Sequence, residues 1–314
     1  LSFYRPKEMQ IIYHLPKLLL GTSKDVLTYY HKNWDKIANC YNLDKDNIPI
    51  DPAWYRRRLY NNFLDKYKPK ALLDIGCGGG WTVLDALKKR INAIGVEPVN
   101  PLQKFASNLL NKEGFEGERI LLDDLLYIES LKSNSQECIA LLSVIPHVPA
   151  DKLDHVHFEL SRVLKPGGKL VVAYRNELFD FFTFNSITLN LYKNTIWNNK
   201  ELSSISNNSQ VLEALKNLVT NPNIPGEFHT NSSDKSFGKL KRFKTNPLTI
   251  KNFLAKYNFN WLESNFYHFH CVPPLISDKV KDLKKINHKM ELNHSNNWRA
   301  QFMCPMYLVI CQKN

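Results

Sequence analysis

The stretch from Ala71 to Pro98, ALLDIGCGGGWTVLDALKKRINAIGVEP, restricts the fold more than any other part of the chain. Ala71 to Ile75 is an apolar run broken only by Asp74, the pattern of a central parallel strand covered on both faces. Gly76, Gly78, Gly79 and Gly80 follow at once, predicting a sharp turn whose backbone comes close to a ligand. Trp81 to Lys89 then reads as an amphipathic helix whose free N-terminal amides point back at the bound group. Asn92 to Val96 is the neighbouring strand. Glu97 at its end lies 21 residues after Gly76, near the roughly 20-residue offset at which a carboxylate meets a ribose hydroxyl. The unit is predicted to hold a nucleoside.

Glycine spacing narrows the choice of nucleoside. A dinucleotide turn, G-x-G-x-x-G/A, needs a small third residue, and Trp81 stands there instead. Gly76, Gly78 and Gly80 give G-x-G-x-G, and Asp74-Ile75-Gly76-Cys77-Gly78-Gly79-Gly80 resembles motif I of class I S-adenosylmethionine (SAM) methyltransferases. The resemblance is nearest to the small-molecule O-methyltransferases of ubiquinone biosynthesis and runs from about residue 52 to 176. It implies an α/β fold: a Rossmann-like, seven-stranded, mostly parallel sheet of order 3-2-1-4-5-7-6, with helices on both faces and an inserted lid. It also implies SAM as cofactor, with Asp74, Gly76, Gly78, Gly80, Glu97 and Pro98 around it.

Other positions follow from the same resemblance. Asp51-Pro52 starts a helix running to about Tyr67, and Pro69 ends it. On that helix, Arg56 and Arg57 are candidates for gripping the carboxylate of SAM in a two-pronged way. Arg119 to Leu122 reads as the third strand, with Asp123-Asp124 at its end. The family pattern puts a carboxylate there on the adenine amine; Asp124 fits better, Asp123 is the alternate, and a helix N-cap is an equal reading of either. Glu137 to Ser143 is the fourth strand. Leu142 is expected along the methionine part of the cofactor. Ile145-Pro146-His147-Val148 is similar to the family's L-E-H-V, which makes His147 the candidate general base. Asp151 to Leu164 reads as helix, and Lys165-Pro166-Gly167-Gly168 turns into a fifth strand, Lys169 to Tyr174.

The expected organisation is a helical cover over 1–51, a SAM-binding core over 52–176, a lid or substrate insertion over 177–245, and the rest of the core over 246–314. The lid rests on an aromatic run from Phe179 to Phe184, Asn-rich turns and a helical pattern from Val211 to Val219. The last part reads as a helix from Leu248 to Tyr257, a long strand from Asn260 to Val272, a charged insertion over 273–298 and a final strand from Tyr307 to Cys311. Alternation along the long strand sets His268 and His270 on one face, without a third partner at metal-ligand spacing, so no metal is expected.

Composition sets the outer bounds. In 314 residues, 43% hydrophobic and 12% aromatic content is ample for a buried core. No apolar run approaches the roughly 18 residues of a membrane span; the nearest, Leu15 to Leu20, contains Pro16 and Lys17. Six cysteines without C-x-x-C spacing, and no signal-peptide layout, point to a cytoplasmic chain with reduced thiols. A net charge of +12 favours acidic partners. The basic clusters Arg56 to Arg58, Lys239 to Lys244 and Lys279 to Lys285 do not form a nucleic-acid module. Ser143 to His147 carries neither the N/D-P-P-Y/F nor the Pro-Cys of base methylation. The functional expectation is methyl transfer from SAM to a hydroxyl of a small polar or anionic acceptor. The alternatives are N- or C-methylation of a small molecule, or a non-catalytic SAM-binding subunit. The sequence leaves the acceptor and the oligomeric state open.

Overall fold

Side chains on a strand alternate between two faces, and in the middle of this sheet both faces are buried. The computed structural model describes residues 24–196, 207, 209–219 and 243–314. Its strands are β1 (Ala71–Ile75), β2 (Asn92–Val96), β3 (Ile120–Leu121), β4 (Gln136–Leu141), β5 (Leu164–Asn176), β6 (Lys244–Thr245), β7 (Phe259–Tyr267) and β8 (Met306–Lys313). The helices are α1 (Lys24–Lys32), α2 (Trp34–Ala38), α3 (Ala53–Tyr67), α4 (Trp81–Lys88), α5 (Asn100–Lys112), α6 (Leu153–Val163), α7 (Asp180–Thr183), α8 (Ser186–Leu191), α9 (Ser209–Leu218), α10 (Ile250–Ala255), α11 (Leu283–His294) and α12 (Ala300–Met303). Leu73, Ile139, Leu141, Leu170 and Val172 pack with α6 and α10 in one core. Leu72, Cys138, Ala140, Val171 and Ala173 pack with α3 and α4 in the other. The sheet is therefore wound on both sides.

Strand order is β3-β2-β1-β4-β5-β8-β7, with β6 pairing with β5 as a short extra strand. Apart from that eighth strand, the expected order holds. β1 pairs in parallel with both β2 and β4, while β8 runs antiparallel to β5 and β7. The order in which strands are added reverses between β1 and β4, and a crevice opens there beyond the strand ends.

Local chemistry fixes the elements that reach this crevice. The Asp51 carboxylate accepts the Ala53 amide at 2.7 Å and so starts α3 as expected. Lys68, in the left-handed conformation with its amide bonded to the Leu64 carbonyl, ends it. Gly76 must be glycine: its φ is +70°, and a Cβ would lie 2.5 Å from the Val144 side chain. Third-strand pairing is confined to Ile120–Leu121, because Gly117–Arg119 forms a turn of 3₁₀ helix. The fifth strand is longer than expected and carries Arg175 at its far end.

Two expectations near the C-terminus are corrected. The long strand stops at Tyr267 rather than Val272, because His268 takes a left-handed φ of +70° that breaks the pleat. His268 and His270 consequently lose strand alternation, although their rings stay 4.5 Å apart. The charged insertion over 273–298 contains a 3₁₀ turn, Pro274–Lys279, and α11.

The expected lid lies partly outside the described residues, as do Leu15 to Leu20 and Lys239 to Arg242. Its described start, from Glu177 to Thr183, packs against α12, Lys244 and Asp180 pair within it at 2.8 Å, and just before it Asn176 of β5 donates to the Gln301 and Cys304 carbonyls at 2.7 Å each. Among the described residues, no helix is long and apolar enough to cross a membrane, and no cluster of three His, Cys, Asp or Glu side chains suits a metal ion.

Candidate active site

The crevice beyond β1 and β4 deepens into a cavity of about 620 Å³. Eight of the twelve sequence-predicted site residues line it: Arg56, Asp74, Gly76, Gly78, Glu97, Pro98, Leu142 and His147. The cover comes from α1, α2 and the loop to α3, through side chains such as Val26, Tyr30, Asn33, Ile37 and Tyr41. Among the described residues of 177–245, none lines the cavity.

Trp81 explains how the cover is seated. Its indole donates to the Ala38 carbonyl at 2.9 Å, tying the end of α2 to the glycine turn. Tyr41 meets the same indole edge-on at 6.0 Å. The residue that breaks the dinucleotide pattern thus holds the roof of the cavity.

At the β2 end of the cavity the chemistry is that of a hydroxyl and amine receptor. Glu97, 4% exposed, accepts the Gly78 amide at 2.8 Å on one carboxylate oxygen and the Val99 amide at 2.9 Å on the other. Each oxygen keeps a lone pair for a further donor. Burial pushes this carboxyl up to about 7, against the pull of the Val99 and Gly78 amides, and nearby Asp74 adds to the rise. Asp74 is fully buried; one oxygen accepts the Thr82 hydroxyl and the other has no hydrogen-bond partner. Burial raises its carboxyl to about 7 as well, opposed by Thr82 and Arg56. A buried carboxyl with an orphaned oxygen at the edge of a cavity is built to receive a cation or N–H donor. Gly78, at a φ of +58°, has nothing within 4 Å of where a Cβ would stand, so the turn leaves an open cradle.

Arg56 crosses the cavity from α3. Its guanidinium donates to the Ser143 hydroxyl at 2.5 Å. Burial lowers its proton affinity, but Tyr267, Tyr41, Cys40 and Asp51 outweigh this, so the net shift is upward and the charge is permanent. Beyond it, the β4 end segment places His147 with its Nε2 atom 3.2 Å from the Tyr30 hydroxyl of the cover. Arg175, Tyr267, His268 and Met306, from β5 and the β7–β8 hairpin, complete this end, away from Glu97.

Four predicted residues are not on the cavity wall. Arg57 points the other way on α3 and makes a bidentate pair with Asp85, both bonds 2.6 Å, beneath the rings of Tyr41 and Trp81. Gly80 caps α4, and a Cβ on it would meet Ala106 of α5 at 2.7 Å, so it serves helix packing. Asp124 accepts the Leu126 amide at 2.8 Å and caps the 3₁₀ turn Leu125–Ser130, while Asp123 accepts the Asp124 amide at 2.9 Å. Their neighbour Leu125 does reach the cavity. The sequence did not single out Ser143, Arg175 or Tyr267. Arg175 had a readable signal, since a charge at the carboxyl end of a buried parallel strand belongs to the ligand side of such a sheet.

Residues 73–172 match the family described as "Methyltransferase domain", which covers the glycine turn, Glu97, the β4 end and most of β5. No curated protein sequence matches the chain. Among solved structures, the magnesium protoporphyrin IX methyltransferase of Synechocystis with bound SAM is similar, with a TM-score of 0.52 at 8% identity, covering 93% of this chain and 98% of that one. The [4+2]-cyclase SpnF also gives 0.52, at 12% identity over 94% and 97%. The putative methyltransferase complexed with the Trm112 activator of Haloferax volcanii gives 0.50, at 10% identity over 92% and 96%. At these identities the likeness is one of fold, and the family match carries the assignment of activity. With a match to a methyltransferase domain over residues 73–172 and a deep cavity at the switch point of its sheet, the chain is a SAM-dependent methyltransferase.

Proposed function

We propose that the chain transfers a methyl group from SAM to a hydroxyl of a small polar or anionic molecule, with His147 as general base. The observation that carries this reading is the placement of His147, with the Tyr30 hydroxyl at its Nε2 atom, in the same cavity as Glu97, Asp74 and Arg56. The cavity residues fit the cofactor. Glu97 is the acceptor for the ribose hydroxyls, the orphaned oxygen of Asp74 receives the methionine amine, and Arg56 takes the carboxylate, with Gly76, Gly78 and Pro98 forming the floor and Leu142 flanking the sulfur. When bound, SAM supplies an electrophilic methyl on a sulfonium.

The protein's own task is to align a nucleophile and accept its proton. His147 stands at the end of the strand next to the glycine turn, on the acceptor side. Its imidazole takes the hydroxyl proton at Nδ1 as the oxygen attacks, with Nε2–H donated to the Tyr30 hydroxyl, which holds the ring in place. Arg175 at the same end offers charge to an anionic acceptor, consistent with the net charge of +12. The roof formed by residues 26–53 excludes water from the donor.

The test is transfer of label from methyl-labelled SAM, with the product bond identified. An ether is expected. His147→Ala should lower turnover by about 10²- to 10⁴-fold and leave SAM affinity unchanged. Near-normal turnover in that variant removes His147 from the mechanism, and label on nitrogen or carbon overturns O-methylation while leaving the cofactor in place.

A further inference from the structure

The inserted helix α11 is unusual in turning polar groups inward. Asn287 accepts the Cys271 amide at 2.9 Å, His288 bonds the Tyr55 hydroxyl at 2.7 Å, and Glu291 accepts the Phe269 amide at 2.9 Å. Glu291 is 1% exposed, and its other oxygen has no hydrogen-bond partner. Burying an acid so deeply is costly and is offset here by the Phe269 amide. The bonds from Asn287 and Glu291 fall on the segment just past the end of β7, where His268 enters the left-handed region at φ +70°. That conformation is uncommon for a residue with a side chain and persists only where its surroundings impose it. Here the amides on both sides of the kink are held by the insertion and by the segment after it: Phe266 by the Ser295 carbonyl at 3.0 Å, Phe269 by Glu291, and His270 by the Met303 carbonyl at 2.9 Å. The outcome is a kinked His268 on the cavity wall, beside Met306 and across the sheet from Glu97.

We propose that Glu291 is the positioning residue for His268, and that His268 contacts the methyl acceptor; the second half rests on the reaction proposed above. The charged insertion is then part of the acceptor site, acting through a buried carboxylate that fixes a strained turn. Glu291 does not touch the acceptor.

The test uses two samples of the full chain. In one, saturated with S-adenosylhomocysteine, imidazole ¹H–¹⁵N correlations report the histidine rings; in the other, free of it, methyl-labelled SAM with the acidic small-molecule fraction of a cell extract reports turnover. Glu291→Ala is expected to move or broaden the His268 signals and spare those of His147; Glu291→Gln, which keeps an acceptor for the Phe269 amide, should restore them. His268→Ala and Glu291→Ala should each lower the initial rate of label transfer at a fixed extract concentration by about 10- to 100-fold with SAM affinity within twofold, and the double variant should fall no further than the worse single one. If Glu291→Ala does not fold, Glu291→Asp, one methylene shorter, should shift the same signals. Unmoved His268 signals, or losses that multiply in the double variant, overturn the proposal. If the wild-type chain transfers no label, the O-methylation reading fails, and the ring signals alone decide the role of Glu291.

Discussion

Replacing Glu97 with alanine probes the cavity at its most constrained point. The carboxylate already receives the Gly78 and Val99 amides at 2.8 and 2.9 Å, which orient both oxygens and leave their remaining lone pairs for a ligand. A ribose diol donating to an ionised acceptor in this dry setting contributes about 1.5–3 kcal/mol, so Glu97→Ala should weaken SAM and S-adenosylhomocysteine by about 10- to 150-fold each. The variant also strips two backbone donors of their acceptor, at a cost to folding of about 1–3 kcal/mol. Glutamine is no cleaner, since its single carbonyl can serve only one of the two amides. Calorimetric titration at pH 8, where the carboxyl is ionised, measures the binding loss, and a thermal melt confirms that the variant is folded. A folded Glu97→Ala protein binding SAM within twofold of wild type would refute the role given to this residue.

The remaining predictions concern charge, space and direction. Glu97 and Asp74 are both raised to about 7 by burial, so the unliganded fold holds protons there that the unfolded chain releases at about 4. Their contribution to stability is full below about pH 4 and is lost as pH rises through about 7, while SAM, which needs both ionised, binds more tightly over the same interval; melts and titrations from pH 5.5 to 8 should show the two trends in opposition, and parallel trends would refute it. Gly78→Ala should impair SAM binding with a modest stability loss of about 1–2 kcal/mol from the left-handed φ, whereas Gly80→Ala, blocked by Ala106, should mainly lower the melting temperature. Arg56→Ala should weaken SAM by about 10-fold or more and Arg57→Ala should leave it unchanged, with Arg57→Ala instead costing about 1–3 kcal/mol of stability through its pair with Asp85; equal effects on SAM would contradict the assignment.

The nucleoside unit was legible because its signals are local. An apolar run, four glycines and a carboxylate at a set distance each follow from backbone geometry, and they reappear as β1, the turn, α4, β2 and Glu97. The start of α3 was legible for the same reason, since an Asx cap needs only two neighbouring residues. Arg56 and Arg57 were not separable: neighbours on a helix point about 100° apart, and only the tertiary position of Asp85 shows which one turns inward. Asp124 read equally as cap and as ligand; one of its oxygens accepts the Leu126 amide as a cap, and the residue does not line the cavity. His268 was misplaced because strand alternation assumes extended backbone, whereas the bend at this residue is imposed by α11, some twenty residues downstream. Residues from Val26 to Ala53 supply part of the cavity wall, and the tie from Trp81 to Ala38 that seats them is a long-range contact without a sequence signature.

The most direct measurement is a crystal structure of the chain with S-adenosylhomocysteine. The account predicts the ribose hydroxyls on Glu97, the homocysteine carboxylate on Arg56 and the amine on Asp74, with the sulfur turned toward His147. A ligand whose diol lies out of reach of Glu97, or whose carboxylate sits on the Arg57 side of α3, would contradict it.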